Sequence, residues 1–565
     1  MRTWVSSALV ALAFVAASPV LAASERAATS KRTPITYEVS PRLSGQDLIG
    51  LGVTITFNAD ADGETRLELP DKWMGRTELW RNLSDLTVEG ADSVVEDSPG
   101  ARMIRARPGR RLVLRYTVNA TLPHEPRQSD GYPSKPWLRP SWFYADGPSV
   151  MVIVEGREDS PVRFQWSKAW PKAFTLASNL EDGQDADPRD SVLIGGRDLR
   201  IVRSGPVRVA LRGTYPFADV DFASALDAIV RAERDFFGDV PDTPFLVTAQ
   251  SLAIDDGGTF SGTGKHQGFA MTLTPNLSLD EVRVLLAHEI FHTWNPSRLG
   301  KVIGPQGYWF SEGFTDFYAR RLMMRQRQVT PQAFLDAWNE TLLRYGTSPI
   351  IAMPGEEAAA KFWSGSGEDR LAYQRGALLA AIWDQRLRAS GSSLDAVLHA
   401  QAALHARSSD TPLPLAFVEA AKAQGLDVAP DIKAHIDRGQ PIRLPPDAFA
   451  PCARVEDVVV PTFDLGFEPQ VDGAGVRTVT RLRPDSPAAR AGLHEGAVIV
   501  SKRRGVNGDA TQPYDLIVRE GEGPEHAVSF LPQGSGEAHY QHLVLTPEAS
   551  RNPALCDFQA TPPRR

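Results

Sequence analysis

The stretch Ser278-Leu-Asp-Glu281-Val-Arg-Val-Leu-Leu-Ala-His288-Glu289-Ile-Phe-His292 decides how the middle of the chain is read. Ser278 and Glu281 have the S-x-x-E spacing of a capping box, in which each side chain takes a backbone N–H of the first helical turn. A helix therefore starts here. His288 and His292 are four apart, so they lie one above the other on one helix face. That spacing lets two imidazoles reach one metal ion, with Glu289 beside the pair to act on a water molecule. Leu285, Leu286, Ala287, Ile290 and Phe291 make the helix apolar on most sides. Polar groups inside a buried helix are costly unless something satisfies them, and a zinc ion does so. The plainer alternative, a helix with two surface histidines, fits this apolar surround less well.

A catalytic zinc needs a third protein ligand and an open position. Tyr308-Trp-Phe-Ser-Glu312-Gly-Phe-Thr-Asp316 supplies the candidate, with Glu312 20 positions after His292. The loop from Asn295 to Gly307 can return a second helix antiparallel to the first. Asp316, one turn beyond Glu312, is placed to accept a hydrogen bond from the second nitrogen of a ligand histidine and so fix its tautomer.

Outward from this centre, the chain reads as a multidomain α+β protein. At 565 residues it is too long for one core. Residues 33–215 carry short β-branched or aromatic runs separated by Gly, Pro and Asp turns, as in Val53-Thr-Ile-Thr-Phe57 and Arg111-Leu-Val-Leu-Arg-Tyr116, which reads as an all-β domain. Residues 216–440 read as mainly α, and Thr330-Pro331 starts a further helix. After a Pro-rich linker, residues 452–548 return to short strands. Residues 549–565 read as a loose tail.

The composition is that of ordinary globular protein, with 42% hydrophobic and 23% charged residues and a net charge of -8. A mixed, slightly acidic surface excludes a dedicated nucleic-acid binder. Residues 1–22 read as a secretory signal: Arg2, an uncharged Ala/Val/Leu run, then small residues before a cut near Ala22 or Ala23. That run is almost long enough to anchor in a membrane, and no later one approaches that length. After cleavage, no stable membrane insertion is expected, and the protein is expected in the periplasm or secreted. Cys452 and Cys556, the two cysteines, either pair or remain thiols.

His288-Glu-Ile-Phe-His-Thr-Trp-Asn295, with Glu312 and Asp316 on the next helix, resembles the PDZ-containing glycyl aminopeptidases, zinc enzymes of the gluzincin group. Val154-Glu-Gly156, Tyr373-Gln-Arg-Gly376 and His435-Ile-Asp-Arg-Gly439 are similar to further family segments. The resemblance implies an N-terminal β domain, a thermolysin-like catalytic domain and a C-terminal PDZ-like domain. It also implies one zinc per chain, held by His288, His292 and Glu312, with Glu289 as general base. Tyr373 would be the neutral donor that steadies the oxyanion. Where the family usually places a glutamate that binds the substrate's free amine, this chain has Lys265 near Gly268. Both are taken as substrate-binding, with altered amino-terminal recognition and a preference for acidic substrates. Leu465-Gly466-Phe467 resembles a PDZ carboxylate loop, which would capture peptide C-termini. The expectation is an exported peptidase acting on peptides or proteins. The alternative is a weak or inactive homologue serving as a peptide-binding scaffold.

Overall fold

The computed structural model describes residues 33–157, 160–183, 187–254, 258–364, 367–408, 410–472, 476–505 and 507–558. The expected signal, residues 1–22, and the end of the expected tail, 559–565, lie outside them. The described residues form two compact units: 33–234 with 238–293, and 235–237 with 294–558. One division thus falls just after His292, inside the region expected to be a separate catalytic domain. Among the described residues, no helix is long and apolar enough to cross a membrane.

In the first unit, alternation in the sequence becomes alternation in burial. Ile35, Tyr37 and Val39 on Ile35–Ser44 point inward, and the strand pairs antiparallel with Asp47–Asn58. These belong to a five-stranded sheet. Ile55 and Leu114 from that sheet share a core with Leu67 and Ile104 from a four-stranded sheet.

The reading of 216 onward as helical needs correction. Asp219–Phe237 is a helix. Phe245–Ser251, Phe260–Lys265 and Gly268–Leu273 are strands, and they extend the sheet begun by Arg200–Ser204 and Val207–Arg212. Phe245–Ser251 and Gly268–Leu273 are buried on both faces and pair in parallel. Such strands read as continuous apolar runs, which periodicity does not separate from buried helix. Phe260–Lys265 is the edge strand, and the helix Leu279–Phe291 packs on it.

The second unit holds the helices Tyr308–Arg325, Pro331–Gly346 and Glu368–Ala389. The first and third cross where Gly313 meets Gly376. A Cβ at Gly376 would lie 1.7 Å from the carbonyl oxygen of Trp309, and one at Gly313 would lie 2.4 Å from Cα of Gly376. Only glycine permits so close an approach at either position. Farther along, Ala453–Phe463 pairs with Gln533–Leu545, which is fixed to Pro331–Gly346 by Asn339. Between them lies a five-stranded antiparallel sheet from Glu468–Val471 to His526–Phe530 around Phe467, Val479, Leu516 and Val518.

Cys452 and Cys556 form a disulfide. The segment expected to be loose is anchored as far as Phe558. Arg321 donates to the Phe558 carbonyl at 2.9 Å and Arg325 to the Asp557 carbonyl at 2.9 Å. Arg327 grips the Asp557 carboxylate at 2.6 and 3.0 Å. Phe558 is buried against Phe334 and Phe449.

Candidate metal centre

The capping box forms as expected. Glu281 N–H donates to the Ser278 hydroxyl at 3.3 Å, and Ser278 N–H donates to the Glu281 carboxylate at 2.7 Å. The helix so started runs from Leu279 to Phe291, with His292 as its C-cap. His288 and Glu289 are buried, and His292 is half-buried. The Nε2 atoms of His288 and His292 lie 3.1 Å apart, with the rings nearly perpendicular at 84°. Two nitrogens bound tetrahedrally to one zinc at about 2.0–2.1 Å would sit roughly 3.3 Å apart. The pair therefore has the spacing of two ligands to one ion.

Glu312 is buried on Tyr308–Arg325, and the Ser311 hydroxyl donates to its Oε1 at 3.2 Å. One ligand atom from each of His288, His292 and Glu312 lies within 4.8 Å of the other two. Two neutral imidazoles and one carboxylate, converging in this way, fit zinc. Asn295 is fully buried and donates to the Ser311 carbonyl and the Thr315 hydroxyl, both at 2.9 Å. It sets the Glu312 helix against the turn that follows His292, a role the sequence did not disclose.

Asp316 sits one turn after Glu312 and accepts a hydrogen bond from Arg320 at 3.2 Å. Tyr373 is half-buried on Glu368–Ala389, three residues before the glycine crossing. Tyr308 lies one turn before Glu312 on the same helix. Burial raises its pKa, and the Glu312 charge pushes the same way. A recess of about 180 Å³ lies among Trp309, Phe362, Leu371 and Ala372. Trp309 is one turn from Glu312, and Ala372 adjoins Tyr373.

Lys265 and Gly268 need a different account from the expected one. The Lys265 ammonium is buried, pairs with Asp146 at 2.7 Å and sits over the Trp73 ring at 4.5 Å. Tyr132 donates to the same Asp146 at 3.1 Å. A cation neutralised and enclosed in this way is not displayed to a substrate. Gly268 is also buried, and a Cβ there would lie 2.6 Å from the Leu246 carbonyl oxygen, so its smallness serves strand pairing. In the Leu465-Gly466-Phe467 loop, Gly466 N–H already donates to Asp464 at 2.8 Å, and Asp464 pairs with Arg483. Phe467 belongs to the local core.

A histidine pair at ligand spacing, with a converging glutamate, makes a group that could hold one metal ion. Residues 281–374, which include His288, His292 and Glu312, match the family model of the M61 glycyl aminopeptidases. The fold resembles the crystal structure of an aminopeptidase N family protein from Idiomarina loihiensis, with a TM-score of 0.62 and 16% identity over 94% of this chain and 100% of that one. An M1 zinc metallopeptidase from Deinococcus radiodurans matches with a TM-score of 0.44 and 17% identity, over 74% of this chain and 96% of that one. Comparison with the curated proteins matches none of them.

Proposed function

We propose that the chain is an exported zinc-dependent peptidase, aminopeptidase-like, with one zinc held by His288, His292 and Glu312. The observation that carries this reading is the convergence of those three ligand atoms within 4.8 Å. Zinc bound there supplies Lewis-acid chemistry, acidifying water and polarising a carbonyl. Glu289 accepts the proton of the attacking water and passes it to the leaving amine. Tyr373 donates a hydrogen bond to the oxygen on which negative charge develops. Asp316 helps orient a ligand histidine.

Among the described residues, Phe260–Lys265 lies at a sheet edge beside the His288 helix, and an extended peptide can pair with such an edge through its backbone. The recess beside Trp309 and Leu371 has room for an apolar side chain. Because Lys265 is spent on Asp146, a preference for acidic substrates has lost its basis.

The sheet from Glu468–Val471 to His526–Phe530 is read as a PDZ-like module. Asp464, paired with Arg483, already accepts the Gly466 N–H, so that donor is not available to an arriving peptide carboxylate. The scaffold reading gains nothing from this arrangement.

The deciding experiment is digestion of an unbiased peptide library by the zinc-loaded protein, read by mass spectrometry beside Glu289→Gln. Cleavage by wild type alone supports the reading, and removal of single N-terminal residues makes the enzyme an aminopeptidase. Equal cleavage by both proteins, or by neither, refutes it.

A further inference from the structure

The recess beside Trp309 lies wholly within the second unit. On the helix Glu368–Ala389, the residues Glu368, Leu371, Ala372 and Arg375 recur at three- and four-residue intervals, so one helix face forms one wall. Opposite it, Ala358 and Ala359 of the short helix Gly355–Ala360 end at Cβ and leave space. Trp309 and Phe362 complete an apolar lining. The wall is held from behind. Arg375 donates to the carbonyls of Ile351 at 3.0 Å and Met353 at 2.6 Å, on the chain that leads into the short helix. A Cβ on Gly355 would lie 2.5 Å from the Ile436 carbonyl oxygen, so that helix is seated closely. A water molecule's share of liquid volume is about 30 Å³. The recess, at about 180 Å³, has room for one long side chain.

The charge around this apolar space is uneven. Three carboxylates line it, Glu356, Glu368 and Asp437, against one guanidinium, Arg375. Glu356 and Asp437 are exposed. Glu368 is only 7% exposed, and the Ser364 hydroxyl donates to its Oε2 at 2.6 Å. Arg375 is 2% exposed and directs its N–H groups to the two carbonyls behind the wall. Lys361 feels the Glu368 charge, but it is exposed and paired with Glu357 at 2.7 Å.

We propose that the recess is a subsite for a basic side chain, lysine or arginine, next to the scissile bond, and that Glu368 sets this preference. The inference rests on the peptidase reading above, and it deepens that reading by naming the substrate class. Trp309 precedes Glu312 by one turn and Ala372 adjoins Tyr373, which places the recess beside the proposed chemistry. Lysine and arginine carry a cation on an aliphatic stem. The stem covers the apolar walls, and the cation makes charge-assisted hydrogen bonds to carboxylate. A neutral side chain gains only the first contact, and an acidic one is repelled.

The test uses the full zinc-loaded chain and peptides that differ in one residue beside the bond cut in the library digest: lysine, its neutral counterpart norleucine, or glutamate. The termini are identical, so the ratio of kcat/KM values reads the side chain alone. Wild type should favour lysine over norleucine by about tenfold or more, with glutamate the poorest. Glu368→Gln should lower the lysine-to-norleucine ratio by about tenfold, through KM for the lysine peptide. A merely structural loss would lower both substrates together and leave the ratio unmoved. Should Glu368→Gln fail to fold, Glu356→Gln with Asp437→Asn changes two exposed positions and should lower the ratio about threefold. A wild-type ratio near one, or a ratio that the variants leave unchanged, would overturn the proposal. A wild type that cuts no peptide would instead overturn the functional reading on which it rests.

Discussion

Glu289 stands next to His288 and three residues from His292, and is buried; in the proposed function it is the base that acts on water. Replacing it with Gln keeps the shape and removes the base. Glu289→Gln should lower kcat/KM on a cleaved peptide by about 10²–10⁴-fold, while zinc content by mass spectrometry stays near one per chain. Tyr373→Phe removes only a hydroxyl. It should lower kcat by about 10²–10³-fold with little change in KM, and an unchanged kcat would show that the phenol does not reach the reacting oxygen. Lys265→Met leaves Asp146 buried beside no cation. It should destabilise by about 3–5 kcal/mol in urea unfolding, with any loss of activity following the loss of fold. The Glu289 role is proposed from the four-residue spacing of His288 and His292, and the Tyr373 role from the family resemblance alone. The Lys265 role was not legible, because its partner Asp146 lies far back on another strand, and spacing says nothing of such pairs.

The crossing of Tyr308–Arg325 with Glu368–Ala389 shows what an element can demand of one atom. Helices in ordinary contact lie 8–10 Å apart, and approaching more closely requires residues without side chains. Gly376→Ala places a methyl 1.7 Å from the Trp309 carbonyl oxygen, so one helix must move. The expected cost is about 1–3 kcal/mol, or more if the helices cannot part. The shift should also disturb Tyr373 and Glu312, which share the crossing. Gly183→Ala, with nothing within 4 Å of its added Cβ, is the matched control and should melt like wild type. A Gly376→Ala protein with wild-type stability would mean that the two helices are farther apart than described. The sequence announced the helices through their caps, at Ser278 and Thr330, because capping is local chemistry. It concealed the strands from Phe245 to Leu273. Runs buried on both faces show no alternation, so the sheet that supports the metal helix was absorbed into a helical reading.

At the scale of the whole molecule, the end of the described chain is fastened rather than trailing. The Cys452–Cys556 disulfide closes a span of 104 residues, and the chain-entropy model gives such a loop about 4–5 kcal/mol of stabilisation. Cys452→Ser with Cys556→Ser should therefore lower the unfolding free energy by a few kcal/mol, and dithiothreitol should bring wild type to the same level. Equal denaturant midpoints with and without reductant would contradict this. A sequence ending in prolines and arginines looked loose because nothing within it revealed Arg321, Arg325 and Arg327 waiting on the other side of the fold. Those arginines belong to, or directly follow, the helix that bears Glu312. Their grip on Asp557 and Phe558 spans up to 237 positions. A ribosome makes His288, His292 and Glu312 long before it makes this clasp. A nascent chain can hold His288, His292 and Glu312 and still lack the brace on the helix that carries Glu312, so that helix is clasped only after Asp557 and Phe558 have been made.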